Sequence, residues 1–182
     1  MAPSTLWCIP LDKRGKGPAL YEIALFGMLG ALTFGAKVVL MALPTIEPVS
    51  LLVMLYAVVF GRKAIYPIYV YVLLEFLLHG INLWSINYLY IWLILAGAAW
   101  LLRKMTHPLG WAILSGVFGL LFGLLCAPVY LVIGGPMYAF SWWMSGIPFD
   151  LIHCGANFVL TLVLFVPLRK VLERLYRETQ RV

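Results

Sequence analysis

The chain has 182 residues, of which 64% are hydrophobic and only 11% charged, and its formal net charge is +6. Soluble domains carry about a quarter charged residues, so this composition excludes an ordinary water-soluble fold and leaves no room for a second domain beside one membrane-embedded bundle. The positive charge sits at the ends of apolar stretches, which fits topology signals and anionic lipid headgroups and argues against a nucleic-acid partner.

The first eighteen residues lack the apolar run and small-residue cleavage site of a signal peptide. Apolar patterning then predicts six spans. The first covers 21–43 and ends at Pro44. The second, 48–61, is short: fourteen helical residues rise about 21 Å against roughly 30 Å of hydrocarbon. The segment before it, 44–47, is expected to dip into the outer leaflet beside protein or a wet cavity. The third span covers 64–81, with Pro67 harmless in its first turn. The fourth covers 86–102 and the fifth 109–133, with Pro128 expected to bend its outer end. The sixth runs over 148–168. Residues 169–182 continue as a basic amphipathic helix, in which Leu168, Leu172 and Leu175 recur at helical spacing and Glu173 faces Arg177. That tail is expected to lie along the inner membrane surface.

Cations alternate with the gaps. Lys13, Arg14 and Lys16 precede the first span, Arg62 and Lys63 separate the second from the third, and Arg103 and Lys104 separate the fourth from the fifth. Arg169, Lys170, Arg174, Arg177 and Arg181 follow the sixth, while the gaps between contain none. Retention of Lys and Arg on the cytoplasmic side makes this an all-α bundle of six transmembrane helices with both termini cytoplasmic. Only Lys37 breaks the pattern, from within the first span.

The connection 134–147, GGPMYAFSWWMSGI, is the longest on the outer side. Its Tyr138, Phe140, Trp142 and Trp143 read either as an interfacial belt or as a glycine-hinged lid that stacks on a planar ligand. Cys8, Cys126 and Cys154 have neither disulfide nor metal spacing and read as packing residues. No internal repeat points to an inverted-repeat transporter.

Orientation gives each polar residue a depth. Lys37 lies roughly 10 Å inside the outer end of the first span. Glu75 and His79 are four apart on the third, and Asp150, His153 and Asn157 are three and four apart on the sixth, so each set shares a face. All fall in the outer half, whereas the inner half reads as almost purely apolar. Intramembrane charges cost at least about 2.5 kcal/mol each, so they turn toward a cavity or one another. The convergence predicts a pocket open to the outside and closed toward the cytoplasm, with Glu47, Asn82, Trp84, Tyr138, Trp142 and Trp143 at its mouth. Simpler roles exist for each residue. Asp150, two residues after Pro148, could cap the first turn of the sixth span. Lys37 could pair with Glu75 or Asp150, Glu75 could pair with His79, and Asn82 and Trp84 could serve the turn. The Glu75/His79 and Asp150/His153 spacings resemble metal ligands, but without HExxH no metal site is expected, nor any cofactor. Gly27, Ala31 and Gly35 form a small-residue stripe on the first span, and Ser115, Gly119, Gly123 and Ala127 form another on the fifth; either could close the bundle or meet a partner.

Taken together, the six spans, the small-residue stripe, the outward pocket and the long fifth connection resemble the substrate-binding S components of energy-coupling factor (ECF) vitamin importers. The stretch Gly146-Ile-Pro-Phe-Asp-Leu-Ile-His153, followed by Asn157-Phe-Val-Leu and Pro167-Leu, looks like that family's sixth helix, and Glu47-Pro-Val-Ser-Leu-Leu-Val like the start of its second. The wording is most like the cobalamin-type members. The family's Ala-x-x-x-Ala coupling pattern appears here as Gly27-Met-Leu-Gly-Ala31, then Gly35, with glycine in place of the first alanine.

The resemblance implies a non-catalytic subunit in a prokaryotic plasma membrane. It would bind a vitamin-like molecule outside, with cobalamin favoured over queuosine precursors, folate, riboflavin or pantothenate-like compounds. It would then dock through Gly27, Ala31 and Gly35 on a transmembrane T component carrying two cytoplasmic ATPases; this chain has no phosphate-loop motif. Two other classes fit the residues: a small membrane enzyme using Glu75, His79, Asp150 and His153, and a scaffold that only binds other helices.

Overall fold

The computed structural model describes residues 20–41 and 47–180. These residues are 90% helical, with no strand among them. The helices are α1 (Leu20–Val39), α2 (Val49–Phe60), α3 (Ile65–His79), α4 (Leu83–Leu101), α5 (Pro108–Leu120) and α6 (Phe122–Thr179). Four stretches are long and apolar enough to cross a membrane: Leu20–Val39, Val49–His79, Leu83–Leu101 and Pro108–Thr179. Cys8, Lys13, Arg14, Lys16, residues 42–46 and Arg181 fall outside the described residues.

Side-chain contacts fix the helix directions. Lys63, just past α2, donates to both Glu22 oxygens at 2.9 Å, in the first turn of α1. Lys37, in the last turn of α1, meets Glu75 near the end of α3 at 2.9 Å. α2 therefore runs against α1, and α3 runs with it. The reversal sits at Gly61, whose φ of 59° a side chain would resist, followed by the 3-10 turn Gly61–Ala64. The bundle thus has a Lys37 end and a Glu22 end. The Lys63 contact with Glu22 and the position of Arg103 and Lys104 after α4 place those basic residues at the Glu22 end.

α2 is the centre. Ten of its twelve residues are buried, its sequence is apolar on every side, and a helix of that kind belongs in a core rather than against solvent or lipid. Its rise of about 18 Å is too short to cross a membrane alone. Packing against α1, α4 and α6 surrounds it.

The largest departure from the sequence reading is at 134–147. This segment is not a loop. Gly135 alone takes up the reversal, at φ 79° and ψ −179°, and residues 136–147 are already helix. Pro136 opens the returning limb where its missing N–H costs nothing, so one residue suffices for the turn. The two limbs then zip together. Tyr130 stacks on Trp142 at 3.9 Å, Gly123 donates to Asp150, and Trp111 stacks on Phe165 at 4.6 Å. Pro128 does not break the outgoing limb; the interruption is at Leu121, between α5 and α6 (φ −92°, ψ 1°). Pro148 likewise sits inside a helix rather than at its start.

Over its described part, 169–180, the tail also differs from expectation. α6 continues without a break to Thr179, and Leu172 and Tyr176 are buried in the bundle instead of facing a membrane surface. Tyr176 packs edge-on against Phe60 at 4.9 Å and donates to Glu22 at 3.0 Å. Arg169 and Glu173 pair at 2.8 Å, while Leu175 faces outward.

Close approach of the hairpin limbs depends on Gly119, where an added Cβ would meet the His153 backbone at 2.9 Å and the Asn157 amide at 3.0 Å. Gly119→Ala is expected to cost about 1–3 kcal/mol of stability through that overlap. Gly97→Ala is the matched control, because its Cβ would meet nothing within 4 Å. A thermal melt in detergent in which both variants behave alike would remove this role from Gly119.

Candidate functional site

The Lys37 end gathers charge from separate helices. α1 ends at Val39, short of the expected 43, so Lys37 lies in its last turn rather than a third of the way down a span. Its ammonium is held inward, donating to Glu75 Oε2 at 2.9 Å and to the Tyr88 hydroxyl at 3.0 Å, and it lies 4.8 Å from the Tyr88 ring centre. His79 Nδ1 sits 3.3 Å from the same Glu75 oxygen. Both pairings that the sequence offered as simpler roles, Lys37 with Glu75 and Glu75 with His79, therefore occur in one cluster. Glu47, in the connection before α2, faces it too: burial pushes its carboxyl above the usual range, the Lys37 ammonium draws it back, and Glu75 pushes it up again.

An aromatic wall adjoins these charges. Trp84, Tyr88 and Trp92 are spaced four apart on α4 and so share a face. The Trp84 indole N–H donates to the Tyr88 hydroxyl at 2.9 Å, and the Tyr88 and Trp92 rings meet at 5.4 Å. Phe122 joins this wall to α6, lying 5.9 Å from Trp84, 6.0 Å from Trp92 and 5.0 Å from His153. Glu75 Oε1, Trp92 Nε1 and His153 Nε2 are buried with no hydrogen-bond partner among the described residues. Leaving such groups unpaired costs about 1–3 kcal/mol each, and three of them lie around this one aromatic wall.

The remaining expected residues divide. Asp150 does not cap its own helix, since that limb begins fourteen residues earlier. Instead it accepts the Gly123 N–H at 3.1 and 3.2 Å, a donor that the interruption at Leu121 leaves free. Asn157 donates to Ser50 Oγ at 3.1 Å, tying α6 to the first turn of α2. Asn82 is consumed by turn chemistry: its side chain accepts the Ser85 N–H at 2.9 Å in a capping box. Trp142 is stacked on Tyr130 and lies 6.2 Å from Trp84, whereas Tyr138 meets Tyr130 at 6.0 Å and Trp143 meets Phe140 at 6.3 Å. The expected aromatic lid is thus the start of the hairpin's returning helical limb. Among the described residues no three His, Cys, Asp or Glu side chains come together as a metal-ligand set.

Sequence reasoning missed Tyr88, Trp92 and Phe122. The four-residue spacing from Trp84 was the available signal for the first two. It also read the deeper half as apolar, whereas Ser115 and Thr161 are fully buried there.

The two small-residue stripes have different surroundings. Gly119 and Gly123 are filled by α6, but Gly27 and Gly35 have nothing within 4 Å of an added Cβ and Ala31 is exposed. The α1–α3 contact runs through Gly30 instead, against Val70 and the Pro67 carbonyl. Comparisons with protein-family profiles, curated proteins and solved structures return no match for this chain.

Proposed function

We propose that the chain is the membrane-embedded substrate-binding component of an ATP-driven importer of the ECF type. In this reading it has six spans with both termini on the cytoplasmic side of a prokaryotic plasma membrane, the Lys37 end facing outward. It captures a vitamin-like small molecule there and delivers it by docking on a T component with two ATPases. One observation carries the reading: Lys37, Glu75 and Tyr88 converge from three helices beside buried, unpartnered Trp92 Nε1 and His153 Nε2. A carboxylate, an ammonium, an indole N–H and an imidazole around flat rings suit a polar, ring-containing ligand. The aromatic residues expected to cover a bulky cobalamin lie on the hairpin's returning helical limb, so the ligand class is argued from this wall.

The open Gly27–Ala31–Gly35 stripe supports docking through α1, since close helix approach in a membrane uses such surfaces. Ala31→Leu should lower the yield of complex with a T component while leaving ligand capture by the isolated chain unchanged. A normal complex yield would move the docking face elsewhere.

Mass spectrometry of small molecules released from the detergent-purified protein tests the binding reading directly. A ring-containing compound retained by the wild type and lost from Glu75→Ala is expected. No retained compound, and no binding to a vitamin panel, would leave the chain as a helix-binding scaffold, the reading that the open stripe alone also favours.

A further inference from the structure

Two ion pairs mark depth along α1. Glu22, held by Lys63, and Lys37, held by Glu75, are fifteen residues apart, a rise of about 22 Å. The hydrocarbon core of a bilayer is roughly 30 Å thick, so the two pairs cannot lie at its two edges. Exposed cations decide which pair sits at a surface. Arg62, Lys104 and Arg174 are exposed at the Glu22 end, where such charges need water or headgroups. The Lys37 end is different. Val39, Met41, Leu77, Leu78, Ile81 and Leu83 are exposed around it, and the α3–α4 turn contains no Asp, Glu, Lys or Arg. The α5–α6 hairpin supplies the missing height. Trp92 of α4 and Phe118 of α5 meet at 6.0 Å. From that level α4 reaches Asn82 over about 15 Å, whereas the hairpin limb climbs about 24 Å to Gly134. The hairpin tip therefore stands about 9 Å beyond the α3–α4 turn.

We propose that the Lys37 end of α1, α3 and α4 is sunk in the leaflet opposite the basic end, its apolar rim covered by lipid acyl chains. Of the described helices, only the α5–α6 hairpin reaches that surface of the membrane. Acyl chains fit the rim because every helix end there is apolar and the turn offers no charge to a protein partner. The shortfall of the ion-pair spacing leaves about 8 Å of hydrocarbon above Lys37. Its charge is tolerated at that depth because Glu75 neutralises it at 2.9 Å. This placement does not depend on what Lys37 and Glu75 bind.

Cysteine-borne probes in liposomes, with iodide on both faces, test it. Ile81→Cys in the α3–α4 turn and Met137→Cys at the hairpin tip replace outward-facing side chains, 84% and 76% exposed, so neither disturbs packing. Each variant carries an NBD fluorophore, and the unsubstituted chain labelled alike gives the background. Iodide should quench the probe at position 137 several-fold more strongly than the probe at position 81. Phosphatidylcholine with a doxyl group on its acyl chain should reverse that order. Val39→Cys repeats the measurement from the end of α1 and should behave as Ile81→Cys does. Iodide quenching at positions 81 and 39 equal to that at 137 would overturn the placement, and would mean that the bilayer thins to meet the short helices.

Discussion

Lys37→Met should lower the melting temperature sharply, and adding Glu75→Gln to it should restore much of the loss. Glu75 is 4% exposed, and one of its oxygens has no hydrogen-bond partner among the described residues. Removing the ammonium at 2.9 Å leaves a buried carboxylate with His79 at 3.3 Å as its remaining cationic contact among the described residues and the like charge of Glu47 nearby. Breaking one side of a buried ion pair costs about 3–5 kcal/mol, whereas replacing both charges is far milder. For a chain of this size that corresponds to a Tm loss of roughly 6–20 °C in the single variant. The double variant separates folding from binding: it should melt near wild type yet retain no ligand, since the amide and thioether no longer offer opposite charges. Equal melting of wild type and Lys37→Met would show that the pair is not a buried electrostatic unit. A double variant no better than the single would show that the loss is one of packing.

Much of this end of the molecule was legible in the residues. Lys37 stood out because no other cation sits inside an apolar stretch, and Glu75 and His79 stood out because a four-residue spacing stacks them. Their two pairings were among the roles the residues offered, but the hydroxyl that Lys37 also meets was not legible. Tyr88 looks like one aromatic among many, and only the antiparallel course of α4 brings its hydroxyl to Lys37. The hairpin tip failed for a different reason. Gly134, Gly135, Pro136 and Gly146 are loop residues by composition, but a single glycine in the left-handed region followed by proline is a complete helix reversal. Trp142, beyond it, therefore lies on a helix and packs on Tyr130 of the outgoing limb. Asp150 shows the limit of local rules. Its position after Pro148 suggests a cap on its own helix, and it does act as one, but for a helix interruption 27 residues away across the hairpin.

Glu22 carries the other large expected effect. It is 2% exposed in the first turn of α1, and a carboxylate buried that far needs partners to hold it. It is held by Lys63 at 2.9 Å on both oxygens, by the Tyr176 hydroxyl at 3.0 Å and by the Gln180 amide at 2.6 Å. These donors come from the α2–α3 turn and the last turn of α6, so one carboxylate joins three segments far apart in sequence. Glu22→Ala should cost about 3–5 kcal/mol, because it removes the carboxylate that pairs with the Lys63 ammonium and accepts from the buried Tyr176 phenol. Glu22→Gln keeps an acceptor and should cost less. Beyond global stability, the Ala variant should loosen the end of α6, where Tyr176 and Gln180 lose their anchor, so amide hydrogen exchange over 169–180 should accelerate well beyond that of 150–165. Uniform exchange in both regions would mean that Leu172 and the Phe60–Tyr176 ring contact suffice to hold the tail, and that Glu22 serves only to neutralise Lys63. In the importer reading the distinction matters for docking: the Glu22 end faces the ATPases, and a latched α6 presents Arg174 and Arg177 as a fixed surface rather than a swinging arm.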